Sequence, residues 1–146
     1  VNKVIDGTTV SQMGYTLDQL ARAIEVRAPV QVSRTIADGT TFSFEWFKDA
    51  VARAVHSGEG TMIVNFSNEH LAGRGSGGGH FSPVAAYHAS KEMILVLDVI
   101  APEHAFWVKV NALYAAMATL DKVSNQNRGW LFVSSGSAHS GASPTR

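Results

Sequence analysis

Hydrophobic positions recur along this chain at two spacings, one typical of helices and the other typical of strands. After Thr16, apolar residues follow at intervals of three and four, which predicts an amphipathic helix with Thr16 as its N-cap. A second helix is predicted after Ser43, taken as its cap, and a third over Val110–Leu120, with Leu120 facing inward. The apolar stripe of the second helix consists of Phe44, Phe47, Val51, Ala54 and Val55.

Strands are predicted where short apolar runs occur or where apolar and polar residues alternate. Alternation over His80–His88 would place Phe81 and Tyr87 on one face and His80 and Ser82 on the other. The remaining predicted strands are Val30–Ile36, Thr61–Phe66, Met93–Val99 and Trp130–Val133, of which Met93–Val99 is apolar on both faces, as in a strand buried on both sides.

A polar connection joins His80–His88 to Met93–Val99 and is short enough for a hairpin. Asp98 interrupts the second strand, and a buried carboxylate is costly unless a donor pairs with it. An antiparallel pairing with a connection of odd length would place His80 opposite Asp98 or one diagonal step away. Asp98 would then orient the imidazole and leave its other nitrogen as a base. A purely structural His–Asp hydrogen bond is the alternative.

Composition and charge narrow the class of protein. With 146 residues, 45% apolar and 16% charged, the chain is expected to form one globular domain over residues 1–135, followed by a disordered Ser- and Gly-rich tail over 136–146. Twelve basic and twelve acidic residues balance, so no nucleic-acid or membrane partner is predicted. The chain begins with Val1 rather than Met, and these residues do not determine the compartment: a cytoplasmic location is favoured, and a periplasmic one would require a signal before Val1.

Three other chemistries are disfavoured by the pattern. The stretch from Gly73 to Gly78 fits G-x-G-x-x-G, but a strand follows it where a nucleotide site needs a helix. No metal site is predicted, because His80 and His88 would lie about 26 Å apart on one strand. A serine nucleophile is disfavoured because Ser82 would lie about 7 Å along the strand from His80, and nothing indicates that Ser67 or Ser76 lies closer.

The run Gly79-His80-Phe81-Ser82-Pro83, with Asp98 following in Leu97-Asp98-Val99, resembles the second half of the phytochelatin synthase catalytic domain. That family has a papain-like Cys-His-Asp triad, with its histidine in GHFSP and its aspartate in LDV at the same separation. Three further stretches are similar to family segments: Gly14–Leu20, Met62–Phe66 and Arg128–Phe132.

The resemblance implies an α+β, papain-like cysteine peptidase fold, of which this chain forms the antiparallel sheet half with packed helices. It implies His80 and Asp98 as catalytic residues and Gly79 as a substrate contact. The chain contains no cysteine, so the nucleophile is expected from a missing N-terminal segment, and this chain alone should be inactive. Without that segment, exposed core surface is expected to make copies associate.

The activity implied is that of a glutathione gamma-glutamylcysteinyltransferase, with acyl transfer through a cysteine thioester and release of glycine, or hydrolysis to γ-glutamylcysteine. Glutathione or γ-glutamyl peptides would be the substrates. No tightly bound cofactor is expected; heavy metal, Cd or Zn, would arrive as metal-glutathione substrate. The family's arginine after LDV is absent from Ile100–Phe106, which favours hydrolysis or another γ-glutamyl or peptide substrate. A non-catalytic papain-like scaffold that binds peptides is the alternative.

Overall fold

The structure is a computed structural model that describes residues 14–73, 78–100 and 104–136. The predictions for the N-terminal residues, for Ser76 in the glycine-rich loop and for the tail beyond Gly136 fall outside these ranges. The elements in chain order are α1 (Leu17–Arg27), β1 (Val30–Ile36), α2 (Thr41–His56), β2 (Gly60–Ser67), α3 (Asn68–Ala72), β3 (Gly79–His88), a 3-10 turn (Ala89–Lys91), β4 (Met93–Val96), β5 (Phe106–Lys109), α4 (Val110–Met117), β6 (Leu120–Asp121), β7 (Gln126–Asn127) and β8 (Gly129–Ser135).

Within the described ranges, six strands form one sheet in the order β1-β8-β2-β3-β4-β5, and every neighbouring pair is antiparallel. Strands β6 and β7 form a separate two-stranded ribbon. This arrangement of helices on an antiparallel sheet confirms the predicted α+β class. Among the described residues, no helix has both the length and the apolar character needed to cross a bilayer.

The helix starts follow from capping side chains. Thr16 caps α1 as predicted: its Oγ1 accepts from the Gln19 N–H at 3.3 Å, while Gln19 Oε1 accepts from the Thr16 N–H at 2.8 Å. The cap predicted for α2 is wrong. Thr40 has the extended backbone of an N-cap and accepts the Ser43 N–H at 3.1 Å, so Ser43 lies inside the first turn.

The third predicted helix is shorter than its sequence pattern. α4 ends at Met117, where the Ala118 N–H donates to the Tyr114 carbonyl, and the chain then leaves the helix. Leu120 pairs with Asn127 in the β6–β7 ribbon and is 53% exposed, so its predicted inward position is wrong.

The two faces of the sheet carry different helices. On one face α2 and α4 cover the main core, which includes Phe47, Leu113 and Trp130. On the other face α1 packs on β1 and β8, with Leu17 against Leu131. Neighbouring residues of β8 therefore point into different cores, as the strand period of two requires.

The hairpin of β3 and β4 differs from the prediction in two ways. A bulge adds Ala85 between Val84, opposite Val96, and Ala86, opposite Leu95. Tyr87 therefore packs in the main core and not on the Phe81 face, because the extra residue reverses the alternation. Strand β4 also ends earlier than predicted, at Val96, and the residues beyond it are exposed: Leu97 39%, Val99 57% and Ile100 76%.

Candidate active site

His80 is the second residue of β3, where β3 pairs with the end of β2. It lies opposite Phe66, whose ring contacts the imidazole edge-on with 5.3 Å between ring centroids. Only 7% of His80 is exposed. Packing against the buried Phe66 therefore restricts the imidazole before any polar contact is considered.

Asp98 reaches the His80 face because of the bulge in β3. The connection between His88 and Met93 contains four residues, 89–92, and not the odd number expected. An even connection alone would place His80 and Asp98 on opposite faces. The extra residue Ala85 restores the parity, and the Leu97 N–H donates to the Pro83 carbonyl at 3.0 Å, which brings Asp98 level with Ser82.

The two side chains meet as the sequence predicts. His80 Nε2 lies 3.2 Å from Asp98 Oδ1, and with Asp98 ionised the Nε2–H donates to that oxygen. The same oxygen accepts the Ile100 N–H at 2.9 Å, which fixes the carboxylate on the turn after β4. This arrangement sets both the orientation and the tautomer of the imidazole, and Nδ1 is then the nitrogen that can accept a proton.

A polar cavity of about 320 Å³ adjoins Gly79, the residue before His80. It is lined by acidic and basic residues from several elements, among them Glu69, Asp121, Lys122 and Arg128. A Cβ atom at Gly79 would lie 2.9 Å from Asn65 Oδ1 and 3.2 Å from Arg128 Nε. Glycine is needed here because these two side chains approach its backbone closely.

Asn65 was not identified from the sequence. It is 2% exposed, lines the cavity, and its Oδ1 has no hydrogen-bond partner among the described residues. Asn65 alternates with Phe66 along β2, so it lies on the face opposite to the His80 ring. The cavity and the His–Asp pair thus flank the same end of β3 from two sides. A polar residue within the apolar run Met62–Phe66 was the available signal.

Arg128 was part of the family resemblance, but no role followed from the sequence. It is 3% exposed, and its Nη1 donates to Thr119 Oγ1 at 2.9 Å and to the Leu120 carbonyl at 2.8 Å. Burial lowers the pKa of the guanidinium, and the nearby charge of Asp121 acts in the opposite direction. Arg128 therefore holds the start of the β6–β7 ribbon and brings positive charge to the cavity.

Asp121 also lines the cavity and is fixed by its own turn. Its Oδ1 accepts the Val123 N–H at 3.1 Å and its Oδ2 accepts the Ser124 hydroxyl at 2.9 Å. These bonds hold the carboxylate in place beside the cavity. The sequence did not predict the β6–β7 ribbon, because the apolar spacing predicted a helix as far as Leu120.

The structure also places the other candidate nucleophiles and ligands. Ser82 lies on the His80 face, level with Asp98, and its Oγ has no hydrogen-bond partner among the described residues. Ser82 is completely buried and Ser67 caps α3 by accepting the His70 N–H. His88 lies at the far end of β3, against Trp107 and Ser90. Across the described ranges, no three His, Asp or Glu side chains form a group able to hold a metal ion.

Comparisons with known proteins agree with the family resemblance of the Gly79–Pro83 motif. The sequence model of the family "Phytochelatin synthase" matches residues 1–130. Glutathione gamma-glutamylcysteinyltransferase 3 of Lotus japonicus is 36% identical over 91 residues, which are 60% of this chain and 18% of the relative. Glutathione gamma-glutamylcysteinyltransferase 1 of Triticum aestivum is 34% identical over 110 residues, 73% of this chain and 21% of the relative.

A third relative extends the match. The glutathione gamma-glutamylcysteinyltransferase of Schizosaccharomyces pombe is 27% identical over 125 residues, which are 85% of this chain and 29% of the relative. The chain thus spans less than a third of the length of each of these three relatives.

Proposed function

The chain belongs to the phytochelatin synthase family, and we propose that it forms the histidine- and aspartate-bearing part of a glutathione gamma-glutamylcysteinyltransferase with a papain-like fold. The observation that carries the proposal is the 3.2 Å contact between His80 Nε2 and Asp98 Oδ1. It supplies an oriented base, which activates a nucleophile only if one lies within hydrogen-bond reach. These 146 residues contain no cysteine, so the thiol comes from another part of the polypeptide.

The reaction begins with the transfer of the thiol proton to His80. Nδ1 takes the proton, because Asp98 holds the hydrogen on Nε2, and the carboxylate stabilises the imidazolium that forms. The thiolate attacks the carbonyl carbon of the Cys–Gly amide of glutathione. When the C–N bond breaks, Nδ1 returns its proton to the departing nitrogen, and glycine leaves.

The γ-glutamylcysteinyl thioester then passes to an acceptor. Attack by the amine of a second glutathione extends the peptide and releases the enzyme thiol, while attack by water gives γ-glutamylcysteine. His80 takes the acceptor's proton and returns it to the leaving thiolate. Heavy metal, Cd or Zn, enters as the thiolate complex of glutathione and is substrate rather than a resident of the protein.

The cavity beside Gly79 is the proposed site for the γ-glutamyl group. That group carries one ammonium and one carboxylate, and the cavity is lined by the acids Glu69 and Asp121 and the bases Lys122 and Arg128. In this proposal the substrate lies across that end of β3, with its γ-glutamyl group in the cavity and its Cys–Gly amide towards His80. This binding mode requires no arginine after Val99.

The test is glycine release from glutathione by the complete protein, with and without Cd or Zn. Replacing His80 by Ala should lower kcat by roughly 10²- to 10⁴-fold, the usual contribution of a general acid–base residue. His88→Ala, on the exposed end of the same strand, should keep wild-type activity. Complete protein that binds γ-glutamyl peptides but releases no glycine would contradict the proposal and favour the non-catalytic scaffold.

A further inference from the structure

The outward surface of α2 carries two aromatic side chains that lie outside the hydrophobic core. Phe42 is 76% exposed and Trp46 is 46% exposed. Their ring centroids are 6.3 Å apart and their planes meet at 49°, so the rings form an open wedge. Trp46 also packs edge-on against the buried Trp130, with 6.0 Å between centroids. This contact holds the Trp46 ring in place and favours a preformed surface.

Two carboxylates line the same surface. Glu45 and Asp49 border, with Phe42 and Trp46, a cavity of about 270 Å³. Glu45 already pairs with Lys48 Nζ at 3.1 Å. The Asp49 carboxylate makes no ion pair or hydrogen bond with any residue that the structure describes. The wedge therefore offers two aromatic faces and one available negative charge, which together attract a cation.

A neighbouring part of α2 holds a cation with the same kind of groups. Lys48 Nζ lies 5.2 Å from the centre of the Phe44 ring, between the carboxylates of Glu45 at 3.1 Å and Glu92 at 3.8 Å. There the ring and the acids are occupied by a residue of the chain itself. Among the described residues, no lysine or arginine makes a cation–π contact with Phe42 or Trp46 or an ion pair with Asp49.

We propose that Phe42, Trp46 and Asp49 form a docking site for an arginine side chain of a partner protein. A cation at the open side of the wedge, in contact with both rings, can lie within about 6 Å of both centroids, the range of a cation–π contact. Arginine fits better than lysine, because its planar guanidinium stacks on aromatic rings and pairs with a carboxylate through two hydrogen bonds. A purely apolar partner would desolvate Asp49 without compensation. The site is independent of the transferase proposal.

The test uses the Trp46 indole N–H signal of the complete ¹⁵N-labelled protein, assigned with a Trp46→Phe variant. The probe is the tripeptide acetyl-Gly-Arg-Gly-amide. Its control replaces arginine by citrulline, which has nearly the same shape and no charge. The arginine peptide should shift the Trp46 signal and bind at least about threefold more tightly than the citrulline peptide. The indole signal of Trp107, which is 48% exposed on β5, should stay unchanged.

Asp49→Asn separates charge recognition from simple stacking. The substitution should weaken binding of the arginine peptide by about two- to fivefold, as expected for an exposed ion pair. Binding of the citrulline peptide should not change. Equal binding of the two peptides, or an unmoved Trp46 signal in folded protein, would overturn the proposal. A Trp46 shift that depends on protein concentration alone would also overturn it, because a second copy would then occupy the wedge.

Discussion

The carboxylate of Asp98 contacts the imidazole of His80 at 3.2 Å although Asp98 lies beyond the end of β4. Its position depends on two backbone features, the bulge at Ala85 and the bond from the Leu97 N–H to the Pro83 carbonyl. The pair is therefore sensitive both to the chemistry of the two side chains and to the residue count between them. These dependences can be tested separately.

Asp98→Asn keeps the shape of the side chain and removes its charge. The amide cannot stabilise an imidazolium and can present its NH₂ to Nε2, which favours the wrong tautomer. We expect kcat for glycine release to fall by about 10²-fold or more in the complete protein, with a smaller change in KM. Asp121→Asn, which removes a cavity carboxylate instead, should act mainly on KM. A change mainly in KM for Asp98→Asn, with a fall mainly in kcat for Asp121→Asn, would contradict the proposed roles.

The bulge predicts different results for deleting and replacing one residue. Deleting Ala85 restores regular alternation, so either Asp98 leaves the His80 face or Tyr87 leaves the core. We expect loss of glycine release together with a lower unfolding temperature. Ala85→Ser keeps the residue count at an exposed position and should retain both properties. Full activity of the deletion variant would show that the register does not position Asp98.

The comparison between sequence and structure explains why the bulge was missed. His80 and Asp98 were found because a motif and a buried charge are local signals. The bulge falls in the pair Ala85-Ala86, where two identical small residues give no sign of which face each occupies. The sequence therefore predicted the contact between His80 and Asp98 correctly but for the wrong reason. It assumed a connection of odd length, whereas the structure has a four-residue connection and a bulge in β3.

Long-range packing accounts for the other differences. Thr40 and Ser43 are both good capping residues, and only the backbone conformation at Thr40 decides between them. The contacts of Asn65 and Arg128 with Gly79 join segments more than ten residues apart, which periodicity cannot predict. Helices α1, α2 and α4 and strands β1 to β4 and β8 were predictable because their apolar spacing reports burial directly, whereas α3, β5, β6 and β7 were not predicted.

Gly79 and Gly78 offer a matched pair of substitutions beside the cavity. A Cβ at Gly79 would lie 2.9 Å from Asn65 Oδ1, whereas a Cβ at Gly78 has no atom within 4 Å. Gly79→Ala should lower the unfolding free energy by about 1–3 kcal/mol through overpacking and raise KM for glutathione. Gly78→Ala should change stability by less than about 0.5 kcal/mol. Denaturant unfolding and steady-state kinetics measure both effects, and equal behaviour of the two variants would contradict close packing at Gly79.

Arg128→Met tests the buried guanidinium. The substitution keeps the apolar stem but leaves Thr119 Oγ1 and the Leu120 carbonyl without their donor. We expect the unfolding free energy to fall by about 2 kcal/mol or more. The control is Arg34→Met, which removes a 3.0 Å pair with Asp18 between side chains 46% and 63% exposed. That exposed pair should contribute less than about 1 kcal/mol. Equal losses would mean that Arg128 does not anchor the ribbon.

The start of α2 predicts a specific dependence of stability on pH. Asp38 Oδ1 accepts both the N–H of Thr40, at 2.8 Å, and its hydroxyl, at 2.7 Å. These two bonds lower the pKa of the Asp38 carboxyl below its ordinary 3.8, and the bond from the Thr40 backbone N–H has the larger effect. The unfolded chain then binds the proton more readily than the folded one, so the stabilisation is present above pH 3.8 and is lost as the pH falls through the folded pKa.

Asp38→Asn removes this titration while keeping a side-chain acceptor for Thr40. We therefore expect the unfolding free energy of the wild type to decline more steeply than that of the variant as the pH is lowered from 5 towards 2, the difference opening below about pH 4. Urea unfolding at a series of pH values measures the two slopes. Parallel slopes would show that the carboxylate does not stabilise the Thr40 cap, since a bond made only by the ionised form must weaken when that form is protonated.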